Sequence, residues 1–248
     1  MNTQKMNIQT KIKQEINSDP GFIVGFADIE GLPDKKFDQY KYAISIGKGL
    51  DDSIIDCIAD GPTPHYYDLY KRTNKALENK LSSISALLDK AGIAHLQIKP
   101  TMEDDELDED YARTLRTPFS HKLAATQSGL GWIGKTDLLI SKEFGPRLRL
   151  ASILIEKGQV EFEVSQPIMK SKCGNCDICV TGCPAQAATG GLWNVTVDRD
   201  EFYNAFRCRE KCRELSRDNI NVNASICGIC ISVCPIGKKN KKDRTNKR

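Results

Sequence analysis

Cysteines are the residues of this 248-residue chain that could do the most specific chemistry, and nine of the ten fall between Cys173 and Cys234. They form two related half-motifs. The first is Cys-x2-Cys-x2-Cys-x3-Cys-Pro, from Cys173 to Pro184, and the second is Cys-x2-Cys-x3-Cys-Pro, from Cys227 to Pro235. A zinc site needs only four ligands, usually on two paired Cys-x2-Cys knuckles. Three closely spaced thiolates followed by Cys-Pro instead indicate two [4Fe–4S] clusters in a small ferredoxin-like domain.

The spacing also assigns most of the cluster ligands. In segments of this kind the fourth cysteine of one half binds the other cluster. One cluster therefore takes Cys173, Cys176, Cys179 and Cys234. The other takes Cys183, Cys227, Cys230 and an eighth ligand from elsewhere, because the second half-motif lacks its first cysteine. Cys208 and Cys212 are four residues apart on a predicted helix, so they share a face and either could supply this ligand.

The remaining cysteine, Cys57, lies in the apolar stretch Ile54–Ile58, where we expect a buried and unreactive thiol.

The N-terminal residues show no apolar run of an export signal, and no stretch approaches the roughly 18 apolar residues of a membrane helix. We therefore expect a cytoplasmic protein with no membrane partner. Its thiols would stay reduced and free to bind metal.

Charge is distributed unevenly along the chain. The last eleven residues carry +6 while the net charge is +3, so the remainder carries −3. A global basic field is absent, so we do not expect a nucleic-acid partner, and we expect the tail at 238–248 to be disordered. The acidic run from Glu103 to Asp110 lacks the spacing of a calcium loop and is predicted to be an exposed loop or a helix start.

Helical and strand-like patterns alternate up to about residue 165. The longest helix is predicted from His65 to Ala91, where apolar residues recur at helical spacing until Gly92. Shorter helices are predicted at 4–18, 51–59 and 118–127, and strands at 22–27, 42–47, 94–98, 137–141 and 147–156. The alternation predicts an α/β domain over residues 1–168. A cysteine-rich domain over 169–237 and the basic tail follow.

Three glycines fall within six positions of the segment from Ser128 to Lys135, between a predicted helix and a predicted strand. Glycine permits positive φ angles and lets a ligand approach the backbone closely. The pattern differs from Gly-x-Gly-x-x-Gly, and an ordinary tight turn explains it equally well.

The glycine segment followed by the two cysteine half-motifs resembles the cobalamin-dependent iron–sulfur reductases, which include epoxyqueuosine reductases and reductive dehalogenases. The resemblance spans about residues 40 to 237. It implies a nitroreductase-like fold for the first domain, which would bind a corrinoid such as cobalamin, and two clusters that feed electrons to it. Arg207-Cys208 is similar to an arginine–cysteine pair of the family, so we prefer Cys208 as the eighth ligand. The residues implied to contact the corrinoid are Ser128, Gly129, Leu130, Gly131, Trp132, Gly134 and Lys135.

The chain departs from the family where a proton donor is expected. Epoxyqueuosine reductases carry Asp in an Asp-x-x-Pro stretch ahead of the glycine segment, and here Leu115 stands three residues before Pro118. We also expect the chain to lack the family's tRNA-binding helical repeats, and its substrate to be altered. Candidate proton donors are Tyr66, Tyr67 and His121. The alternative is that the tyrosines are aromatics at the edge of the core and that His121 is a surface residue.

The pattern favours an iron–sulfur oxidoreductase that relays electrons through both clusters to a corrinoid. Its substrate would be a small molecule or a modified nucleoside, and its electron donor a low-potential protein such as a ferredoxin or flavodoxin. Two alternatives stay open at this point. One is an electron-transfer or activator protein without its own substrate, and the other is a flavin-dependent reductase.

Overall fold

The computed structural model describes residues 7–32, 35–102 and 106–238. The first three residues of the predicted N-terminal helix, part of the acidic run and nearly all of the basic tail lie outside the described residues. The chain forms two compact units. The first comprises Met1–Lys48, Thr73–Leu130 and Arg149–Ile168, and the second comprises Gly49–Arg72, Gly131–Leu148 and Met169–Arg248. The predicted domain limits at 168 and 237 stay a prediction.

The secondary structure is mixed, as expected for an α/β fold. The strands are β1 Phe22–Asp28, β2 Tyr40–Gly49, β3 His95–Ile98, β4 Gly131–Ile133, β5 Leu139–Ser141 and β6 Leu148–Glu156. The helices are α1 Ile8–Asn17, α2 Asp52–Ile55, α3 Pro64–Lys90, α4 Glu109–Thr114, α5 His121–Gln127, α6 Ile178–Thr181, α7 Arg199–Phe202, α8 Ala205–Ile220 and α9 Ile229–Val233.

The first unit is built on a four-stranded sheet in the order β1-β2-β6-β3. β1 pairs antiparallel with β2, and β3 pairs antiparallel with β6. Because side chains alternate along a strand, Ile44 and Ile46 face one side of the sheet, where they pack with residues of α1 and α3. Ala43 faces the other side, where it packs with Ala124 of α5. Helices therefore cover both faces of the sheet.

The second unit contains the β4–β5 hairpin, α2, the first turns of α3 and the cysteine-rich segment. One apolar cluster of this unit is formed by Leu50, Ile55, Ile58, Tyr66, Leu69 and Ile226. Trp132, Leu139 and Ile140 of the hairpin are buried as well.

Within the described residues, the predicted helices and strands outside the cysteine-rich segment are present, most with small shifts in their ends, but three details differ. The helix predicted at 51–59 is a single turn, Asp52–Ile55. The glycine segment, for which a ligand-binding loop and a tight turn were both open, contains strand β4. The prediction that Cys57 is buried is wrong: its thiol is exposed, because α2 ends at Ile55 and Cys57 lies in the turn that follows. Its Sγ donates a hydrogen bond to the carbonyl of Ser53 at 3.2 Å. None of the helices described is both long and apolar enough to cross a membrane.

Candidate metal centre

The first group of thiols surrounds the turn that leads into α6. The N–H of Cys176 donates to the carbonyl of Cys173 at 3.2 Å, which curls the chain around the positions of the first three cysteines. Cys234 joins them from the end of α9 and is 8% exposed. Burial raises the pKa of Cys234, and the nearby charges of Cys179, Cys173 and Cys176 raise it further. Cys234 thus lies near enough to the other three thiols of the crossed assignment for their charges to affect its pKa.

The second group forms between α8 and the start of α9. The side chain of Asn204 caps α8 by accepting the N–H of Arg207 at 3.0 Å, and the helix carries Cys208 and Cys212 on one face with their sulfurs 3.7 Å apart. Cys212 also shares a hydrogen bond with Cys227. Burial raises the pKa of Cys230, and the charges of Cys227 and Cys208 add to this effect. Both candidates for the eighth ligand therefore lie near Cys227, and Cys208 also lies near Cys230.

Cys208 and Cys212 differ in their surroundings. A hydrogen bond from Cys212 lowers the pKa of Cys208 to about 7 against the opposing effect of burial, and the hydroxyl of Tyr203 also donates to Cys208. The same hydrogen bond raises the pKa of Cys212. Cys183 lies half-buried in the turn after α6, where its N–H donates to the carbonyl of Val180 at 3.2 Å. Of the two candidates, only Cys208 has its pKa lowered by its neighbours.

The donor chemistry of the two groups fits iron–sulfur clusters. All ten cysteines are free thiols, and soft thiolates are the ligands that such clusters take. Within the described part of the chain, no three Cys, His, Asp or Glu side chains are arranged to hold a single metal ion. A four-iron cube is wider than one ion and holds its thiolates farther apart.

Close backbone packing explains the glycines of the Ser128–Lys135 segment. A Cβ at Gly131 would lie 2.3 Å from the carbonyl oxygen of Ile140 on β5, and one at Gly134 would lie 2.9 Å from the Ile140 side chain. Gly129 adopts a positive φ of 69°, and a Cβ there would lie 2.7 Å from the carbonyl oxygen of Gln166. Contacts within the protein therefore already require all three glycines.

The polar side chains of β4 and its turn are directed at the first thiol group. The indole Nε1 of Trp132 donates to the Sγ of Cys173 at 3.4 Å. The Lys135 ammonium, 5% exposed, lies 2.5 Å from the carboxylate of Asp177, the residue after Cys176. In the first unit, the Ser128 hydroxyl donates to the carbonyl of Ala125 at 3.2 Å, and Leu130 is half-buried. The corrinoid contact expected for this segment stays a prediction.

Tyr66 and Tyr67 open α3 in different environments. Tyr66 is 5% exposed and lies in the apolar core of the second unit. Its ring packs on Gly228, the residue after Cys227, where a Cβ would lie 2.9 Å from Cε1 of the tyrosine. Tyr67 is half-buried, with the Lys71 ammonium 4.4 Å from its ring centroid. Tyr66 therefore lies against the loop of the second thiol group.

His121 belongs to the first unit and both of its ring nitrogens have partners. Nδ1 lies 2.9 Å from the Ser152 hydroxyl, and Nε2 lies 2.9 Å from the carbonyl oxygen of Lys99. Burial lowers the pKa of His121 to about 4, so the ring is neutral at pH 7. Leu115, three residues before Pro118, is half-buried and ends α4 in a left-handed conformation with φ 53°.

Sequence reasoning missed the role of Arg147, whose side chain is 1% exposed. Its guanidinium donates to Asp52 at 2.9 Å and to Asp56 at 2.8 Å. It also donates to the carbonyl of Ser232 at 3.3 Å, between Cys230 and Cys234. One signal was present in the sequence: the two aspartates are four residues apart, the spacing at which side chains share a helical face.

Comparisons with known proteins agree with the resemblance. No protein-family model matches the chain. Over 121 residues it is 34% identical to the epoxyqueuosine reductase of Lactococcus garvieae, which covers 46% of this chain and 31% of that protein. Over 169 residues it is 29% identical to the epoxyqueuosine reductase of Escherichia coli, which covers 68% of this chain and 40% of that protein. The matched part thus spans less than half the length of these curated relatives.

Solved structures show the same fold at low sequence identity. The epoxyqueuosine reductase of Streptococcus thermophilus superimposes with a TM-score of 0.60 at 20% identity, covering 95% of this chain and 67% of that one. A reductive dehalogenase, whose structure was used to suggest a mechanism for B12-dependent dehalogenation, superimposes with a TM-score of 0.68 at 14% identity, covering 99% and 35%. The chain is therefore similar in sequence to the epoxyqueuosine reductases, and it has the mixed α/β fold of those proteins and of reductive dehalogenases.

Proposed function

We propose that the chain is an iron–sulfur oxidoreductase in which two [4Fe–4S] clusters of a ferredoxin-like domain relay electrons to a corrinoid held by a nitroreductase-like domain. One observation carries the proposal. Cys234, from the second half-motif, lies with Cys173, Cys176 and Cys179 of the first. Two-cluster segments cross their ligands in this way, and such a crossing would hold two clusters close together. The names of the curated relatives support a reductase.

The chain's own residues would hold and shield the clusters. The first cluster would take Cys173, Cys176, Cys179 and Cys234, and the second would take Cys183, Cys208, Cys227 and Cys230. Partial or full burial keeps most of these sulfurs away from water, although Cys176 is exposed. A bound corrinoid would supply a low-valent cobalt centre for reduction. A ferredoxin or flavodoxin would supply the electrons.

A modified nucleoside is the favoured substrate class, and a small molecule is the alternative. One fold neighbour is an epoxyqueuosine reductase solved with an epoxyqueuosine-modified tRNA stem loop, with a TM-score of 0.54 at 18% identity, covering 93% of this chain and 66% of that one. The proton donor must differ, because the aliphatic side chain of Leu115 has no proton to give. Tyr67 is the best of the three candidates: Tyr66 is buried among apolar residues, and His121 is neutral with both nitrogens engaged.

We therefore expect epoxyqueuosine itself to be a poor substrate. Loss of general acid catalysis typically lowers a rate by about a hundred- to ten-thousand-fold. The assay combines the reconstituted protein, cobalamin, a low-potential reductant and epoxyqueuosine-containing tRNA. Leu115→Asp is the matched variant, and it should gain activity if the rest of the site is intact. Turnover by the parent chain at an ordinary enzymatic rate would contradict the role given to Leu115.

The cofactor is tested separately by the visible spectrum of protein purified anaerobically with cobalamin. Corrinoid bands together with cluster absorbance are expected. Cluster absorbance without corrinoid would favour an electron-transfer protein, and flavin absorbance would favour a flavin-dependent reductase. Either of those outcomes would overturn the corrinoid part of the proposal.

A further inference from the structure

The turn of the β4–β5 hairpin reaches both groups of thiols. The turn is closed by hydrogen bonds from the N–H of Gly134 to the carbonyl of Leu138 at 2.8 Å and from the N–H of Asp137 to the carbonyl of Gly134 at 3.0 Å. At its tip Thr136 is 5% exposed. The Thr136 hydroxyl lies close to Cys179 in the first group and to Cys230 in the second, and it lowers the pKa of both thiols against the larger effect of burial.

We propose that this hairpin sets the reduction potentials of both clusters by donating hydrogen bonds to their ligand sulfurs. Trp132 donates a hydrogen bond to Cys173, a ligand of the first cluster. Thr136 is shared between the two clusters through Cys179 and Cys230. The inference rests on the proposed function, since it requires both clusters to be bound. Trp132 and Thr136 act through the cysteines, so they are positioning residues.

The direction of the effect follows from charge. Reduction adds one electron to a cluster, and part of the added negative charge resides on the ligand sulfurs. A hydrogen bond donated to such a sulfur stabilises the reduced state more than the oxidised state, so it raises the reduction potential. Indole nitrogen can only donate, so the contact between Trp132 and Cys173 has one polarity. A hydroxyl has one proton, so Thr136 donates to one sulfur at a time.

The hairpin holds Trp132 in a fixed position. The residue is 7% exposed and is paired across the strands with Ile140, and the close approach permitted by Gly131 leaves the hairpin little freedom. The ion pair between the buried Lys135 ammonium and the half-exposed Asp177 attaches the same turn to the chain beside Cys176. These contacts orient the donors before any cluster binds, which lowers the cost of making the hydrogen bonds.

The first test is an anaerobic redox titration, followed by EPR, of the Trp132→Phe variant. Phenylalanine keeps an aromatic ring and removes the N–H. The first cluster should become harder to reduce by roughly tenfold in its equilibrium constant, which is about 59 mV for one electron. The second cluster should be unchanged. Trp193→Phe is the matched control, because it is the same substitution at the chain's other tryptophan and should shift neither cluster.

Thr136→Val and Thr136→Ser provide a second test, which stays valid even if the Trp132→Phe variant does not bind its clusters. Valine keeps the shape without the hydroxyl and should lower both potentials, whereas serine should restore them. Unchanged potentials in both Trp132→Phe and Thr136→Val would overturn this inference and leave the two-cluster proposal standing. Absence of two clusters in the parent chain, seen first in its iron content, would overturn both.

Discussion

Arg147 provides a prediction whose size can be worked out from the structure. Two charge-assisted hydrogen bonds join it to Asp52 and Asp56, and each such bond contributes about 1.5–3 kcal/mol. The aspartates are 18% and 38% exposed, so water partly replaces the arginine after Arg147→Met. We expect that variant to lower the free energy of unfolding by about 2 kcal/mol.

Removal of the two carboxylates should cost more than removal of the arginine. Asp52→Ala combined with Asp56→Ala leaves a guanidinium that is 1% exposed and cannot lose its proton, with only the carbonyl of Ser232 as a partner. Breaking a buried pair in this way costs about 3–5 kcal/mol. The unbalanced charge would also lie against the carbonyl of Ser232, which is between Cys230 and Cys234 in the sequence. We therefore expect weaker retention of iron.

Urea unfolding of anaerobically reconstituted protein measures both effects. Arg113→Met is the control, because its pair with Asp110 is 74% and 79% exposed and should contribute less than about 0.5 kcal/mol. The reasoning is refuted if Arg147→Met is as mild as this control, or if the double aspartate variant is more stable than Arg147→Met.

Three further predictions concern single residues. Cys208→Ala should remove or convert the second cluster while Cys212→Ala leaves it intact, measured by iron content and EPR; the reverse result would give the ligand role to Cys212. Gly228→Ala should destabilise the protein by about 1–2 kcal/mol more than Gly31→Ala, because both have positive φ but a Cβ at Gly228 would lie 2.4 Å from a neighbouring side chain, while no described residue lies within 4 Å of a Cβ at Gly31. Equal losses in thermal unfolding would contradict this. His121 has a folded pKa of about 4, below an unfolded value of about 6.5, so the unfolded chain takes up the proton first and stability should fall as pH drops between these values. His121→Asn should flatten that part of the stability–pH profile, and an unchanged profile would count against the buried neutral ring.

Regular apolar spacing along the chain was enough to predict the longer helices and strands. The helix from Pro64 to Lys90 was predictable because Leu77, Leu81 and Leu88 recur at helical spacing and are buried. Strand β4 was missed because it has three residues and begins with a glycine, a residue depleted in strands. Cys57 was misjudged because its apolar neighbours indicate a buried stretch, whereas its own side chain follows the end of a short helix.

The candidate site also has parts that the cysteine spacing predicts and parts that only the folded chain shows. Spacing alone predicted the grouping of Cys234 with Cys173, because the ligand geometry of a two-cluster segment constrains the chain. Spacing could not predict contacts between residues that are distant in sequence. Trp132 and Cys173 are 41 positions apart, and Arg147 and Asp52 are 95 apart, so only the folded chain shows that they meet. Spacing also could not choose between Cys208 and Cys212, since both lie on one helical face.

The crossed assignment of the clusters is tested most directly by iron analysis and EPR of the Cys234→Ser variant after anaerobic reconstitution. The parent chain should bind about eight irons. Cys234→Ser should damage the cluster held by Cys173, Cys176 and Cys179 and leave the other intact. Cys57→Ser, which changes the exposed cysteine outside both groups, should keep the parent's iron content. About four irons or stoichiometric zinc in the parent chain, or loss of the cluster built on Cys227 in the Cys234→Ser variant, would contradict the account.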